Sequence, residues 1–96
     1  MPLQYVLSPM AEEDLEHIWT YTAREWSVEQ AETYTNDIIN LFKDIAVGRR
    51  VGRPVLVRAG YLKALVGRYA IYFQTRGKVI AIIRILHQSM DVERHL

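Results

Sequence analysis

Two hydrophobic periodicities meet in this chain, a helical one before Gly48 and an alternating one after it, and the change divides a helical layer from a sheet. Ahead of the helical part, Leu3 to Leu7 alternates as a short strand does. Ser8-Pro9 then supplies a capping hydroxyl followed by proline at the first helical position, so a helix starts there. Its apolar positions Ala11, Leu15, Ile18, Trp19 and Trp26 share one stripe with Thr22, and Tyr21 lies beside it. Glu12, Glu13, Glu16 and His17 fall mostly elsewhere. The acidic first turn suits the positive end of the helix dipole. Ser27 followed by Gln30 has the form of a capping box, which predicts a second helix from Val28. Ala31, Tyr34, Ile38, Leu41, Phe42 and Ile45 mark its inner face, and Gly48 closes it. So short a connection folds the two helices into an antiparallel hairpin, whose merged apolar stripe needs a second layer. Trp19, Tyr21, Trp26 and Tyr34 read as packing residues of that hairpin, not as platforms for stacked bases.

The second layer follows a loop, Arg49-Arg50-Val51-Gly52-Arg53-Pro54. Three strands are predicted at Tyr61 to Leu65, Tyr69 to Gln74 and Val79 to Leu86, with turns at Val66-Gly67-Arg68 and Thr75-Arg76-Gly77-Lys78. Hairpin connections make them antiparallel. The last strand is apolar on both faces, which suits a central position and leaves Arg84 as a charge in need of a partner. Regular pleating puts Ile80, Ile82, Arg84 and Leu86 on one side, and Val79, Ala81, Ile83, Ile85 and His87 on the other. The fold class is α+β, in the order strand, two-helix hairpin, three antiparallel strands (β-α-α-β-β-β), with the helices on one face of the sheet. Lys63, Tyr72, Gln74 and Arg84 are then expected on the open face, with Arg68 at its rim.

Composition fits one globular domain spanning residues 1–96, since half of the residues are hydrophobic and 24% are charged. Charge changes the picture more. The first 44 residues carry nine carboxylates against Arg24 and Lys43, a net of −7; nine Lys and Arg residues and no acid lie between Ile45 and Met90, a net of +9. The tail, with Asp91, Glu93 and Arg94, adds −1, giving the formal total of +1. A positive face of this kind attracts phosphate backbones or acidic protein segments over a Debye length of about 8 Å. The chain has no cysteine, which removes disulfides and thiolate metal sites and fits a reducing cytoplasm. His17 and His95 have no partners at metal-ligand spacing, so neither a metal nor another cofactor is expected. Neither a signal peptide nor a membrane span is legible, and a cytoplasmic location is expected.

Leu7-Ser8-Pro9-Met10-Ala11 opening the first helix, Asp14-Leu15 with Ile18-Trp19 and Trp26, Val51-Gly52-Arg53-Pro54, Gly60-Tyr61 leading into Leu65, and the ending Arg84-Ile85-Leu86-His87-Gln88-Ser89-Met90-Asp91 form an ordered set. In that order and spacing the chain resembles the RelE/ParE superfamily of type II toxin–antitoxin toxins, and within it the ParE branch. The resemblance covers nearly the whole chain. It implies a growth-inhibiting toxin held silent in a hetero-oligomer by a cognate ParD-like antitoxin. Such an antitoxin has a DNA-binding part that recognises operator DNA and an acidic C-terminal segment that wraps the toxin. ParE-like members of the superfamily poison DNA gyrase; RelE-like members cut mRNA in the ribosome.

The residues must choose between these targets. Cleavage of RNA through the 2′-hydroxyl needs a general base, a general acid and positive charge near the phosphate, and Arg68, Tyr72, Arg84 and His87 are the residues that could supply them. Against this, the sheet half has no Asp or Glu, and regular pleating puts His87 on the face opposite Arg84. The gyrase-binding expectation therefore leads and ribosome-dependent mRNA cleavage is the alternative. Arg84 reads either as paired to an acidic residue such as Asp91 or as facing the partner's acidic segment. The residues expected to meet antitoxin or target are Arg49, Arg50, Arg53, Lys63, Arg68, Tyr72, Arg84 and His87.

Overall fold

Serine hydroxyls start both long helices. In the computed structural model, which describes residues 4–96, Ser8 Oγ accepts from the Ala11 amide at 3.0 Å and Ser27 Oγ accepts from the Gln30 amide at 3.0 Å. Leu3, expected in the first strand, lies outside the described residues. The element order is β1 (Gln4–Leu7), α1 (Pro9–Glu25), α2 (Val28–Ala46), β2 (Arg53–Pro54), β3 (Leu62–Val66), β4 (Tyr69–Arg76), β5 (Val79–His87) and α3 (Val92–His95). The sheet order is β1-β5-β4-β3-β2, with β1 parallel to β5 and the remaining pairs antiparallel. Two elements depart from the sequence reading. Arg53–Pro54, expected as loop, pairs with Leu62 and Lys63 as a short edge strand, and the C-terminal residues form one turn of helix. Among the described residues, no helix is long and apolar enough to cross a membrane.

The helices cover one face of the sheet. Ala11, Ile18, Ile38, Phe42 and Ile45 pack there against Ala64, Ile71, Phe73, Ile80, Ile82 and Ile85. Ile80, Ile82 and Ile85 cannot share a face in a regular strand, and a β-bulge reconciles them. Tyr72 pairs with Arg84 and Phe73 with Ile82, so Ile83 has no partner on β4. This corrects the regular alternation expected for β5: Ile85 returns to the helix side, while Arg84 and Leu86 stay on the other. The Ser8 hydroxyl donates to the Ile83 carbonyl at 2.7 Å, tying the start of α1 to the bulge. His87 still faces away from Arg84, because the bulge precedes both.

Beyond Leu7, which pairs with Ile82, β1 ends and β5 continues along a bare edge. Asp14 of α1 covers it. Its Oδ2 accepts from the Ile85 amide at 2.9 Å and from Arg84 Nε at 2.8 Å, and its Oδ1 accepts from Arg84 Nη2 at 2.9 Å. Arg84 Nη1 donates onward to the His95 carbonyl at 3.1 Å, so one guanidinium joins α1, β5 and α3. Both side chains of the pair are only 13% exposed. Donating hydrogen bonds to Asp14 raises the Arg84 pKa above its ordinary value, against the opposing effect of burial, and keeps the cation charged. The expected partner Asp91 is instead the N-cap of α3, where its carboxylate accepts from the Glu93 amide.

The other face of the sheet is partly closed by a smaller cluster in which Val55, Ala70, Tyr72 and Leu86 pack with Tyr61, Val92 and Leu96. Arg58 steadies this cover, since its guanidinium lies 5.5 Å from the Tyr61 ring centroid and donates to the Leu96 carbonyl.

Asp14→Ala removes the acceptor of the Ile85 amide and leaves Arg84 an unpaired, largely desolvated cation, which should cost about 2–3 kcal/mol. Urea denaturation would show it, and Asp14→Asn, which still offers an acceptor to the Ile85 amide, should lose less. Gly67 has φ +55 and an added Cβ would lie 2.8 Å from Cε1 of Tyr34. Gly67→Ala therefore combines left-handed backbone strain with a collision, and should lower stability by about 1–3 kcal/mol in the same measurement.

Candidate interaction surface

The basic residues of the sheet half do not gather on one open face. Tyr72, expected there, is only 3% exposed beneath the small cluster, and burial raises its phenol pKa. Arg84 is committed to Asp14 and the His95 carbonyl. These two lie on the face away from the helices, as expected, but that face is not open at either of them. His87 is on the helix side, and Arg68 is exposed at the β3–β4 turn.

What remains open and cationic is the edge formed by β2 and the loop before it. Arg53 and Lys63 are register partners across β2 and β3, and like charges are held side by side there. Arg50 Nη2 donates to the Leu65 carbonyl at 3.1 Å, which lays that arginine along the edge of β3. Arg49 comes within 3.7 Å of Asp44, but the pair is solvent-exposed and weak. Val51, Leu56, Val57 and Leu65 are exposed around these cations, Leu56 fully so at 99%. An edge with apolar side chains between arginines suits a partner segment that mixes carboxylates and apolar groups. Pro54 lacks an amide hydrogen, which discourages the addition of a further strand on β2.

A second concave region lies between α1 and the free end of β5, with a volume of about 620 Å³. Asp14, His17, Ile18, Tyr21 and Thr22 of α1 form one wall, Trp26, Gln30 and Tyr34 close the helix end, and Arg68, Tyr69, Ile85, His87, Ser89 and Met90 form the other wall. Tyr34 and Tyr69 meet edge to face with centroids 5.6 Å apart, as do Tyr69 and His87 at 5.4 Å. The Tyr34 hydroxyl accepts from the Arg68 amide at 2.9 Å, fixing the turn that carries Arg68. His87 Nδ1 accepts from the Ser89 amide at 3.1 Å and lies 2.7 Å from the Ser89 hydroxyl. Nδ1 is thereby occupied, which favours the tautomer with the proton on Nε2. Desolvation raises the Tyr69 pKa, with Tyr34 and Tyr21 adding to it, so Tyr69 presents a neutral phenol.

The hairpin aromatics were expected to pack inside. Trp26 is 73% exposed, Tyr21 is 59% exposed and Trp19 is also open to solvent, so the helical core rests on smaller residues. For Trp26 a signal was available. It caps α1 at a two-residue corner, where a side chain has no layer above it. Tyr21 lay beside the buried stripe, not on it. The groove itself had no sequence signature, because its walls come from four separated elements. Among the described residues, no group of three His, Asp or Glu side chains is placed to hold a metal ion.

The family model described as the ParE toxin of the type II toxin–antitoxin system, parDE, matches residues 5–92. Toxin ParE1 of Mycobacterium tuberculosis is 38% identical over 98 aligned residues, covering all of both chains. Toxin ParE1 of Caulobacter vibrioides is 39% identical over 93 residues, covering 96% of each. Among solved structures, a chain of the chromosomal ParDE system from P. aeruginosa is similar with a TM-score of 0.78 and 22% identity, over 88% of this chain and 95% of that one. A chain of the toxin–antitoxin complex RelBE2 from Mycobacterium tuberculosis is similar with a TM-score of 0.67 and 20% identity, over 91% of this chain and 99% of that one. These two likenesses support the fold alone. The family match and the full-length relatives carry the assignment, and they place this chain among the ParE toxins of type II toxin–antitoxin systems.

Proposed function

We propose that this toxin acts in the cytoplasm by binding DNA gyrase and inhibiting it without chemistry of its own. A cognate ParD-like antitoxin silences it by laying an acidic, apolar C-terminal segment along the basic edge. The observation that carries the non-catalytic part is the commitment of Arg84. Its guanidinium is spent on Asp14 and the His95 carbonyl, so it is not free to meet a phosphate. Tyr72 is buried beside it, whereas Arg68 and His87 line the groove on the helix side. A nuclease needs its acid, base and cation within about 3 Å of one set of reacting atoms, and these four residues are divided between two sides of the sheet. Between Ile45 and Met90 there is also no carboxylate to act as base. The gyrase target follows the ParE branch of the family, to which the chain belongs.

For the antitoxin, the support is the charge pattern together with exposed Val51, Leu56 and Leu65 among Arg49, Arg50, Arg53 and Lys63. Cations at an interface rim act mainly on encounter rate and register, and apolar anchors contribute most of the affinity. The hetero-oligomer would then meet operator DNA through the antitoxin's own DNA-binding part.

Purified toxin added in stoichiometric excess to a gyrase supercoiling reaction should inhibit it; full supercoiling with a preparation that arrests growth would contradict the gyrase reading. In a translating extract the toxin should leave transcripts intact, and cleavage abolished by His87→Ala would establish the ribosome-dependent alternative. Replacing Arg50, Arg53 and Lys63 together by Ala should slow antitoxin association by about tenfold and flatten its salt dependence, as stopped-flow kinetics can measure.

A further inference from the structure

We infer that β1 is a self-pairing edge. It lies antiparallel to β1 of a second copy of this chain, with the twofold axis at Val6, and so joins two five-stranded sheets into one of ten. The inference is independent of the gyrase and antitoxin readings above.

Sheet edges elsewhere in the molecule are blunted. β2 is two residues long and carries Arg53 and Pro54, and the free end of β5 is covered by Asp14. β1 has neither device. It ends the sheet on its side with Gln4-Tyr5-Val6-Leu7, a stretch without charge or proline. The Gln4 amide donates to the Lys78 carbonyl and the Ser8 amide to the Ile82 carbonyl, so alternate residues Gln4, Val6 and Ser8 direct their backbone groups toward β5. Tyr5 and Leu7 direct theirs outward. Among the described residues these outward N–H and C=O groups have no hydrogen-bond partner.

The geometry selects a second copy as the occupant. Because the outward groups sit symmetrically about Val6, an identical strand running the other way sets Tyr5 opposite its Leu7 and Leu7 opposite its Tyr5, and every one of them is satisfied. Val6, 52% exposed, then faces its own counterpart in the closer, non-hydrogen-bonded kind of pair, where β-branched side chains pack well. The same register brings the start of α1 of the second copy beside Tyr5. A shallow recess of about 330 Å³ lies there, lined by Gln4, Tyr5, Lys43, Ala46 and Val47. Exposed Met10 supplies an apolar group for it, and exposed Glu12 a carboxylate for Lys43, which has no ion-pair partner among the described residues. An acidic antitoxin segment finds only Lys43 at this edge. A contact of this length belongs to the small, reversible class of interfaces, with Kd on the order of 10–100 μM. The dimer sets its two basic edges at opposite ends of one sheet and offers a symmetric partner two identical sites.

In sedimentation equilibrium the purified toxin should show a reversible dimer. Val6→Lys, which sets two ammonium groups face to face at the axis, should raise the dimer Kd at least tenfold with unchanged thermal melting. Because the chain has no cysteine, Val6→Cys offers a single thiol, placed about 4.5 Å from its counterpart between Cα atoms, and should crosslink rapidly under mild oxidation. Gln4→Cys, displaced from its counterpart by roughly 13 Å along the strands, should not. The Tyr5 and Leu7 amides should exchange more slowly as toxin concentration rises. A monomer at every concentration would overturn the proposal, and so would a dimer that tolerates Val6→Lys and links through Gln4→Cys as fast as through Val6→Cys. Protection of the two amides only after antitoxin is added would give the edge to the antitoxin and overturn it as well.

Discussion

One carboxylate on α1 holds the edge of the sheet on which the rest of the arrangement depends. After β1 ends opposite Ile82, the backbone of β5 would otherwise present open hydrogen-bonding groups. Ser8 takes the Ile83 carbonyl and Asp14 takes the Ile85 amide together with the Arg84 guanidinium. A polar helix face is thereby docked on a strand edge with its charges satisfied, the condition under which partly buried ions are tolerated. The same guanidinium reaches the last turn of the chain, so cover on the far face and the helix layer on the near face share one anchor. It also accounts for the groove. Asp14 holds α1 beside β5, and the space between them opens toward Tyr21, Trp26 and Arg68.

Much of this fold was legible because its punctuation is local. Ser8-Pro9, Ser27 with Gln30, and Gly48 fixed the helix ends through caps and turns that depend on neighbours in sequence, and the three long strands fell within a residue or two of their predicted limits. What failed was long-range. Arg53–Pro54 is a strand only because β3 lies beside it, and Val92–His95 is too short to show a helical period. The bulge at Ile83 answers a tertiary demand, that Ile82 and Ile85 reach one core, which no local pattern declares. For Arg84 the sequence showed the need for an anion without saying which. The partner, Asp14, is 70 positions away, while the nearer Asp91 is used as a cap.

The candidate surface was legible in its charge but not in its shape. Arg49, Arg50, Arg53 and Arg58 are exposed and Lys63 is half-buried, while Tyr72 and Arg84 do lie on the face away from the helices but are closed off there from solvent. Aromatics assigned to the core stand at the surface because the interior is already filled by Ile18, Ile38, Phe42, Phe73 and Ile82. The outcome is a toxin with two dissimilar regions. One is a basic edge beside β2 and β3, and the other is a groove between α1 and β5 partly lined by aromatic side chains.

Native-state hydrogen exchange at the Ile85 amide measures whether Asp14 substitutes for a missing strand on β5. This amide should exchange as slowly as amides inside the sheet, and Asp14→Ala should release it selectively while Ile71 and Phe73 remain protected. An Ile85 amide exchanging as fast as those of the Arg49–Arg50 loop in the unmutated protein would contradict this role of Asp14.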